Sequence, residues 1–266
     1  MKHMTMATVA FAAATLATAA LAQAEDFHWQ GKLARGAAVE IKGINGGITA
    51  TGGAGDEVLV TAVKKARKSD PASVKVEVVP HAGGVTICAV YPSADGKPNV
   101  CAPGDGGHMS SKDNDVNVEF RVQVPEGVRL VAHTVNGAIS ASGLRADAQA
   151  NTVNGEIDLD STGTASANTV NGAIRARMGR ADWTGALKLN TVNGSVEVTL
   201  PADVSAEVKA ATVNGSIETD FPLSVQGKIS RRSLTGTIGS GGRQLELNTV
   251  NGAIALRKAG AAAAAR

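Results

Sequence analysis

The chain has 266 residues, with 26 Lys and Arg against 24 Asp and Glu, a formal net charge of +2 and only 3% aromatic side chains. A near-neutral chain without a basic tract or abundant stacking rings lacks the surface that nucleic-acid binding requires, which argues against that class of partner. Its 31 glycines and few large side chains suit thin, repetitive layers better than a thick globular core.

Residues 1–24 read as a cleaved signal peptide. Lys2 and His3 give a basic start, ATVAFAAATLATAALA is an apolar run, and Ala22-Gln23-Ala24 supplies the small-x-small pattern of a cleavage site before Glu25. The run is short and alanine-rich and is followed at once by polar residues, unlike a membrane anchor. No cysteine follows it, which argues against a lipoprotein. The mature chain is therefore expected to be exported, to the periplasm or cell surface, with no transmembrane segment.

Residues 25–56 hold a first coil, with VEIKGINGGITA placing Asn45-Gly46 between alternating apolar positions. Residues 57–127 read as a strand excursion, clearest where Val116, Val118, Phe120, Val122 and Val124 alternate. An inserted antiparallel hairpin or sheet there would cap the first coil, because the end of a repeat stack must not expose its core edge. The only two cysteines, Cys88 and Cys101, are expected to pair in an oxidising compartment, closing a short loop worth roughly 2–3 kcal/mol. Neither lies in a CxxC or nucleophile-like context. Asp105, His108, Asp113 and Asp115 crowd the same loop but lack EF-hand spacing, so a solvated polar loop is favoured over a cation site.

The main array occupies residues 128–257. Its Asn-Gly pairs begin at Asn136, Asn154, Asn171, Asn193, Asn214 and Asn251, with Thr235-Gly236 as a variant copy; successive spacings are 18, 17, 22, 21, 21 and 16 residues. Self-similarity near this period marks a solenoid or array. Asn-Gly between apolar runs is also the strongest hairpin signal. A hairpin, however, would leave the aliphatic residue before Asn-Gly, Val192 and its counterparts, on the wrong face, whereas a parallel coil is expected to bury it. The fold class expected is all-β: a parallel solenoid, a right-handed single-stranded β-helix of about seven to eight coils. Each Asn would lie over the next and form a hydrogen-bonded ladder. Asn-Gly would turn the chain through left-handed backbone angles. A second ladder is expected along Asn151, Asn168, Asn190 and Asn248, with His133 in the same slot.

Outward positions in successive coils place Asp158 beside Arg175, Arg175 beside Glu197 and Asp160 beside Arg177, favourable lateral pairs, but also Glu197 beside Glu218, which is unfavourable. Trp183 stands where one coil lengthens, either as a small contact patch or as a loop packed onto the edge. Residues 258–266 are an alanine-rich tail, expected to be disordered.

VPEGVRLVAHTVNGAISASGL followed by AQANTVNGEIDLDS resembles the DUF4097 family of bacterial envelope proteins, from about Val39 onward. That resemblance implies a β-solenoid and an adhesin-like label, and it brings no catalytic residues to transfer. No catalytic residue, metal or cofactor is assigned. The calcium β-roll pattern of Gly-Gly-x-Gly-x-Asp is not repeated, and phosphate loops and Gly-x-Ser-x-Gly elbows are missing. The expected function is an exported, non-enzymatic binding or scaffold protein whose partner is an envelope protein or polysaccharide. Glu156, Asp158, Asp160 and Trp183 are its candidate surface contacts. The alternatives are a carbohydrate-active enzyme using the Glu156/Asp158/Asp160 strand and an accessory protein in envelope-stress signalling.

Overall fold

The Asn-Gly copies of the motif fold as two strands around a corner, as in Ala186–Asn190 and Val196–Leu200 on either side of Thr191 to Ser195. The computed structural model describes residues 27–93, 96–225 and 230–260. The expected signal peptide and the end of the alanine-rich tail lie outside the described residues. Among the described residues no helix is long and apolar enough to cross a membrane.

The strands before the corner stack into one sheet and those after it into another. The 11-stranded sheet runs Ser224–Val225, Ser233–Ile238, Ala206–Asn214, Arg243–Asn251, Ala186–Asn190, Ala165–Asn168, Ala148–Asn151, Arg129–His133, Ala38–Lys42, Gly84–Val90 and Lys75–His81. The 10-stranded sheet follows the same stack from Phe27–Lys32 to Ile217–Thr219. Pairing between coils is parallel and in register, so Ile157 lies beside Ile174 and Ile174 beside Val196. This is the parallel solenoid of stacked sheets that the period implied.

Burial alternates along the strands of the main array, as in Ile157–Ser161 and Ile174–Met178, and the two inner faces enclose one core. One sheet contributes mainly alanines at mid-stack (Ala148, Ala150, Ala165, Ala167), the other Ile139, Ile157, Leu159 and Ile174. Each fully buried Ile or Leu stabilises the coil by about 1.5–3 kcal/mol. Antiparallel strands cover both ends: Glu57–Lys65 and Lys75–His81 at one, Ser233–Ile238 at the other.

Four details differ from the sequence reading. First, the valine before Asn-Gly points outward: Val192 is 38% exposed and Val135, Val153, Val170, Val213 and Val250 are likewise exposed. The inward position belongs to threonine. Leu187, Leu189 and Thr191 continue one buried phase, and the chain turns only after Thr191. The hydroxyl of each Thr that precedes Val-Asn-Gly donates to a glycine carbonyl of the adjacent coil, as Thr191 Oγ1 does to Gly172 O at 2.9 Å and Thr249 Oγ1 to Gly194 O at 2.8 Å.

Second, the motif glycines are not used for left-handed angles. Of the glycines in the motif, only Gly46 has positive φ, and Asp113 is the one positive-φ non-glycine among the described residues. What requires glycine is contact: a Cβ on Gly172 would lie 2.0 Å from Gly155 O.

Third, coils do not stack in chain order. Val196–Leu200 pairs with Ile254–Lys258, which in turn pairs with Ile217–Thr219. Glu197 therefore neighbours Ala255 rather than Glu218, and the expected like-charge contact does not form. At the other end Gly84–Val90 and Asn117–Val124 form a parallel coil outside Ala38–Lys42 and Ile48–Gly52.

Fourth, Thr235-Gly236 does not occupy the corner slot. Thr235 pairs with Lys209 inside an antiparallel strand.

Candidate functional site

The corners align into an exposed asparagine ladder. Each Nδ2 donates to the Oδ1 of the neighbouring coil: Asn136 to Asn45 at 2.9 Å, Asn154 to Asn136, Asn171 to Asn154 and Asn193 to Asn171 at 2.8 Å. Asn251 then donates to Asn193 at 2.7 Å and Asn214 to Asn251 at 2.8 Å. One donor and one acceptor of each inner amide are thereby used, so the ladder is an uncharged rail beside the row of exposed valines. A second, half-buried ladder runs Asn248, Asn190, Asn168, Asn151, each step 2.9 Å, and ends where Asn151 Nδ2 meets His133 Nδ1 at 3.3 Å.

The outer face of the 10-stranded sheet carries the acidic candidates. Asp158 lies beside Arg175, Arg175 beside Glu197 and Asp160 beside Arg177. Arg175 Nη1 reaches Glu156 Oε2 at 3.6 Å and Arg177 Nη1 reaches Asp160 Oδ2 at 4.0 Å. A hollow of about 60 Å³ lies among Asp158, Arg175, Arg177, Glu197 and Thr199, too small for a sugar ring. The carboxylates alternate with cations across the sheet. The side chains of Glu156 and Asp160 are exposed and each faces an arginine.

Trp183 is not a surface contact. It is buried, with its indole nitrogen donating to Gln244 O at 2.9 Å, so the lengthened coil folds down over the Arg243–Asn251 strand. The Asp105, His108, Asp113 and Asp115 loop likewise does not gather its acids. Asp115 accepts from the backbone N–H groups of Arg67, Lys68 and Ser69 at 3.1, 3.0 and 2.8 Å. These hydrogen bonds hold its carboxyl down at about 2. Among the described residues no group of three or more His, Cys, Asp or Glu could hold a metal ion.

An ionic cluster that the sequence did not reveal lies under the disulfide loop. Cys88 and Cys101 are bonded, with Cα atoms 5.7 Å apart and a sequence separation of 13. The loop that follows Cys101 covers Glu40, which is 5% exposed although it faces away from the core residues Val39 and Ile41. Glu40 Oε2 accepts from Thr86 Oγ1 at 2.7 Å and Gly104 N at 3.1 Å, while Oε1 lies 3.6 Å from Lys42 Nζ and 3.5 Å from His133 Nε2. Lys42 Nζ donates to the carbonyls of Ala102 at 2.6 Å, Gly104, and Gly106 at 3.5 Å. One ammonium thus gathers three loop carbonyls, which fixes the loop to the second ladder through Glu40 and His133.

Burial pushes the His133 imidazole below its usual pKa, and Lys42 adds to this, while Glu40 and Asp105 oppose it. A histidine depressed in the folded state contributes stability above its unfolded pKa of about 6.5, and loses it as pH falls through the folded value. Melting temperature should therefore drop between pH 7.5 and pH 5. His133→Asn, which continues the amide ladder, should flatten that part of the profile. An unchanged slope in the variant would assign the acid sensitivity elsewhere.

A family model described as Toastrack DUF4097 matches residues 105–257, more than half of the chain; the match does not extend back to Val39. A crystal structure described as "a putative cell adhesion protein from Clostridium sporogenes ATCC 15579" is 11% identical, covers 88% of this chain and 100% of that chain, and has a TM-score of 0.46. Another, described as "a putative adhesin" from Bacteroides fragilis NCTC 9343, is 14% identical, covers 87% and 97%, and has a TM-score of 0.34. No curated protein matches the chain in sequence.

Proposed function

Because the chain belongs to the Toastrack DUF4097 family, we propose that it is an exported, non-enzymatic solenoid that serves in the cell envelope as a rigid binding or scaffold element. The observation that carries this reading is the pairing of charge along the sheet: Glu156 with Arg175 and Asp160 with Arg177 across adjacent coils. Paired, exposed ions give a soluble and specific surface, whereas hydrolysis of a glycan needs two convergent carboxyls held apart in pKa. The disulfide between Cys88 and Cys101 supports an oxidising compartment, periplasm or cell surface. In this reading residues 1–24 are removed on export.

The test is to express the full chain, fractionate the cells, and use the mature protein as bait against envelope extracts and cell-surface polysaccharide. Recovery in the envelope fraction with a retained, unshortened partner is expected. Chain-shortening of a polysaccharide that disappears in Asp158→Asn/Asp160→Asn would replace this reading with a carbohydrate-active enzyme. Retention in the cytoplasm would overturn the envelope role.

A further inference from the structure

A groove lies over the end of the paired strands Glu57–Lys65 and Asn117–Val124 of the 10-stranded sheet, beside the loop that carries Arg67 and Lys68. Its volume is about 960 Å³, within the range of natural ligand pockets, and its lining includes Lys65, Arg67, Lys68 and Arg121. None of these four cations forms an ion pair among the described residues. On the outer face of the coils Arg175 meets Glu156, Arg177 meets Asp160, and Arg257 meets Glu218 and Asp220.

Two acids do line the groove, Asp115 and Glu119, but both are engaged by backbone. Asp115 binds the N–H groups of Arg67, Lys68 and Ser69, and its own N–H donates to Ser69 Oγ at 3.1 Å. Glu119 Oε2 accepts from Gly47 N at 3.1 Å. Asp115 therefore holds the loop that carries Arg67 and Lys68 in place, which lowers the ordering cost of binding. Four cations against two acids leave the groove positive in an otherwise balanced protein.

We propose that this groove binds a polyanionic glycan, a chain of sugars bearing carboxylate or other anionic substituents. Arg67, Lys68, Lys65 and Arg121 would take the anionic groups, and the polar side chains of Thr49 and Asn117 would face sugar hydroxyls. Nucleic acid is disfavoured because the only aromatic residue of the lining, Phe120, is buried at 1% exposure and offers no ring for base stacking. A membrane surface is disfavoured because the lining presents no exposed apolar wedge. This inference concerns a different surface from the acidic strand and does not depend on where the protein resides.

The experiment titrates the mature protein with polygalacturonate, dextran sulfate, neutral dextran, inorganic polyphosphate and a single-stranded oligonucleotide, at low and physiological salt. Polygalacturonate or dextran sulfate should bind, more weakly as salt shortens the Debye length, and neutral dextran should not. Arg67→Ala/Lys68→Ala/Arg121→Ala should weaken glycan binding at least tenfold with an unchanged melting temperature. Arg175→Ala/Arg177→Ala on the paired face should leave it unaltered. Should the triple variant alter folding, the single reversal Lys68→Glu at an exposed site gives the same readout. Equal loss in both multi-site variants, equal or tighter binding of polyphosphate or oligonucleotide, or no glycan binding at low salt would overturn the proposal.

Discussion

Gly172→Ala is expected to cost the solenoid about 3 kcal/mol or more, at or beyond the upper end of ordinary overpacking. The new Cβ would lie 2.0 Å from Gly155 O and 2.5 Å from Gly155 C, both backbone atoms that no rotamer change can move aside. That carbonyl also accepts the Thr169 hydroxyl at 3.0 Å, so pushing it away breaks a buried hydrogen bond as well. Gly194 stands on Gly172 in the same way, and relief by shifting one coil compresses the next. For a domain of this size the loss corresponds to a fall in melting temperature of about 6–12 °C. Gly55→Ala is the control, since a Cβ there meets nothing within 4 Å and φ is not positive. Urea titration of the three proteins by circular dichroism decides the matter. If Gly172→Ala unfolded within experimental error of Gly55→Ala, close stacking would not be what reserves this position for glycine.

How much of this was legible from the amino-acid order depends on which interactions are periodic. The ladder of Asn136, Asn154, Asn171 and Asn193 was readable because parallel, in-register stacking places identical residues over one another. The Asp158, Arg175, Glu197 row followed from the same rule. The corner was misread. Alternation gives two faces but cannot say which residue of a turn points inward, and hydrophobicity favoured Val192 over Thr191. The structure chooses threonine because its hydroxyl satisfies a glycine carbonyl that would otherwise be buried without a partner.

The order of coils was hidden for a related reason. Copies so alike can each sit beside any other, so the sequence does not tell that Ile254–Lys258 lies between Val196–Leu200 and Ile217–Thr219. Glu40 and Lys42 were hidden because their burial comes from a loop about sixty residues further along the chain. Locally they read as the solvent side of a strand. The same holds for Trp183, where the sequence allows either a contact patch or a loop packed onto the edge: its partner is the distant backbone of Gln244.

Lys42→Met should be the second strongly destabilising change, at about 3–5 kcal/mol, the usual cost of leaving one member of a buried ion pair alone. The side chains of Lys42 and Glu40 are 12% and 6% exposed. Without the ammonium, the carbonyls of Ala102, Gly104 and Gly106 lose their common donor, and Glu40 keeps only Thr86, Gly104 N and His133 against its charge. Removing Lys42 also removes a cation that lowers the His133 pKa, so the imidazole should titrate at higher pH in the variant. Protonated, it becomes the remaining counterion for Glu40, and the variant should lose less stability at pH 5.5 than at pH 8. Lys42→Met/Glu40→Gln removes the stranded charge and should recover a substantial part of the loss. The double-mutant cycle then gives a coupling energy of the size seen for contacting residues, 0.5–3 kcal/mol. Additive losses with no change in the pH response would mean that Lys42 acts only by tethering the loop. In that case the variant should still differ from wild type in one way, namely faster reduction of the Cys88–Cys101 disulfide by added thiol.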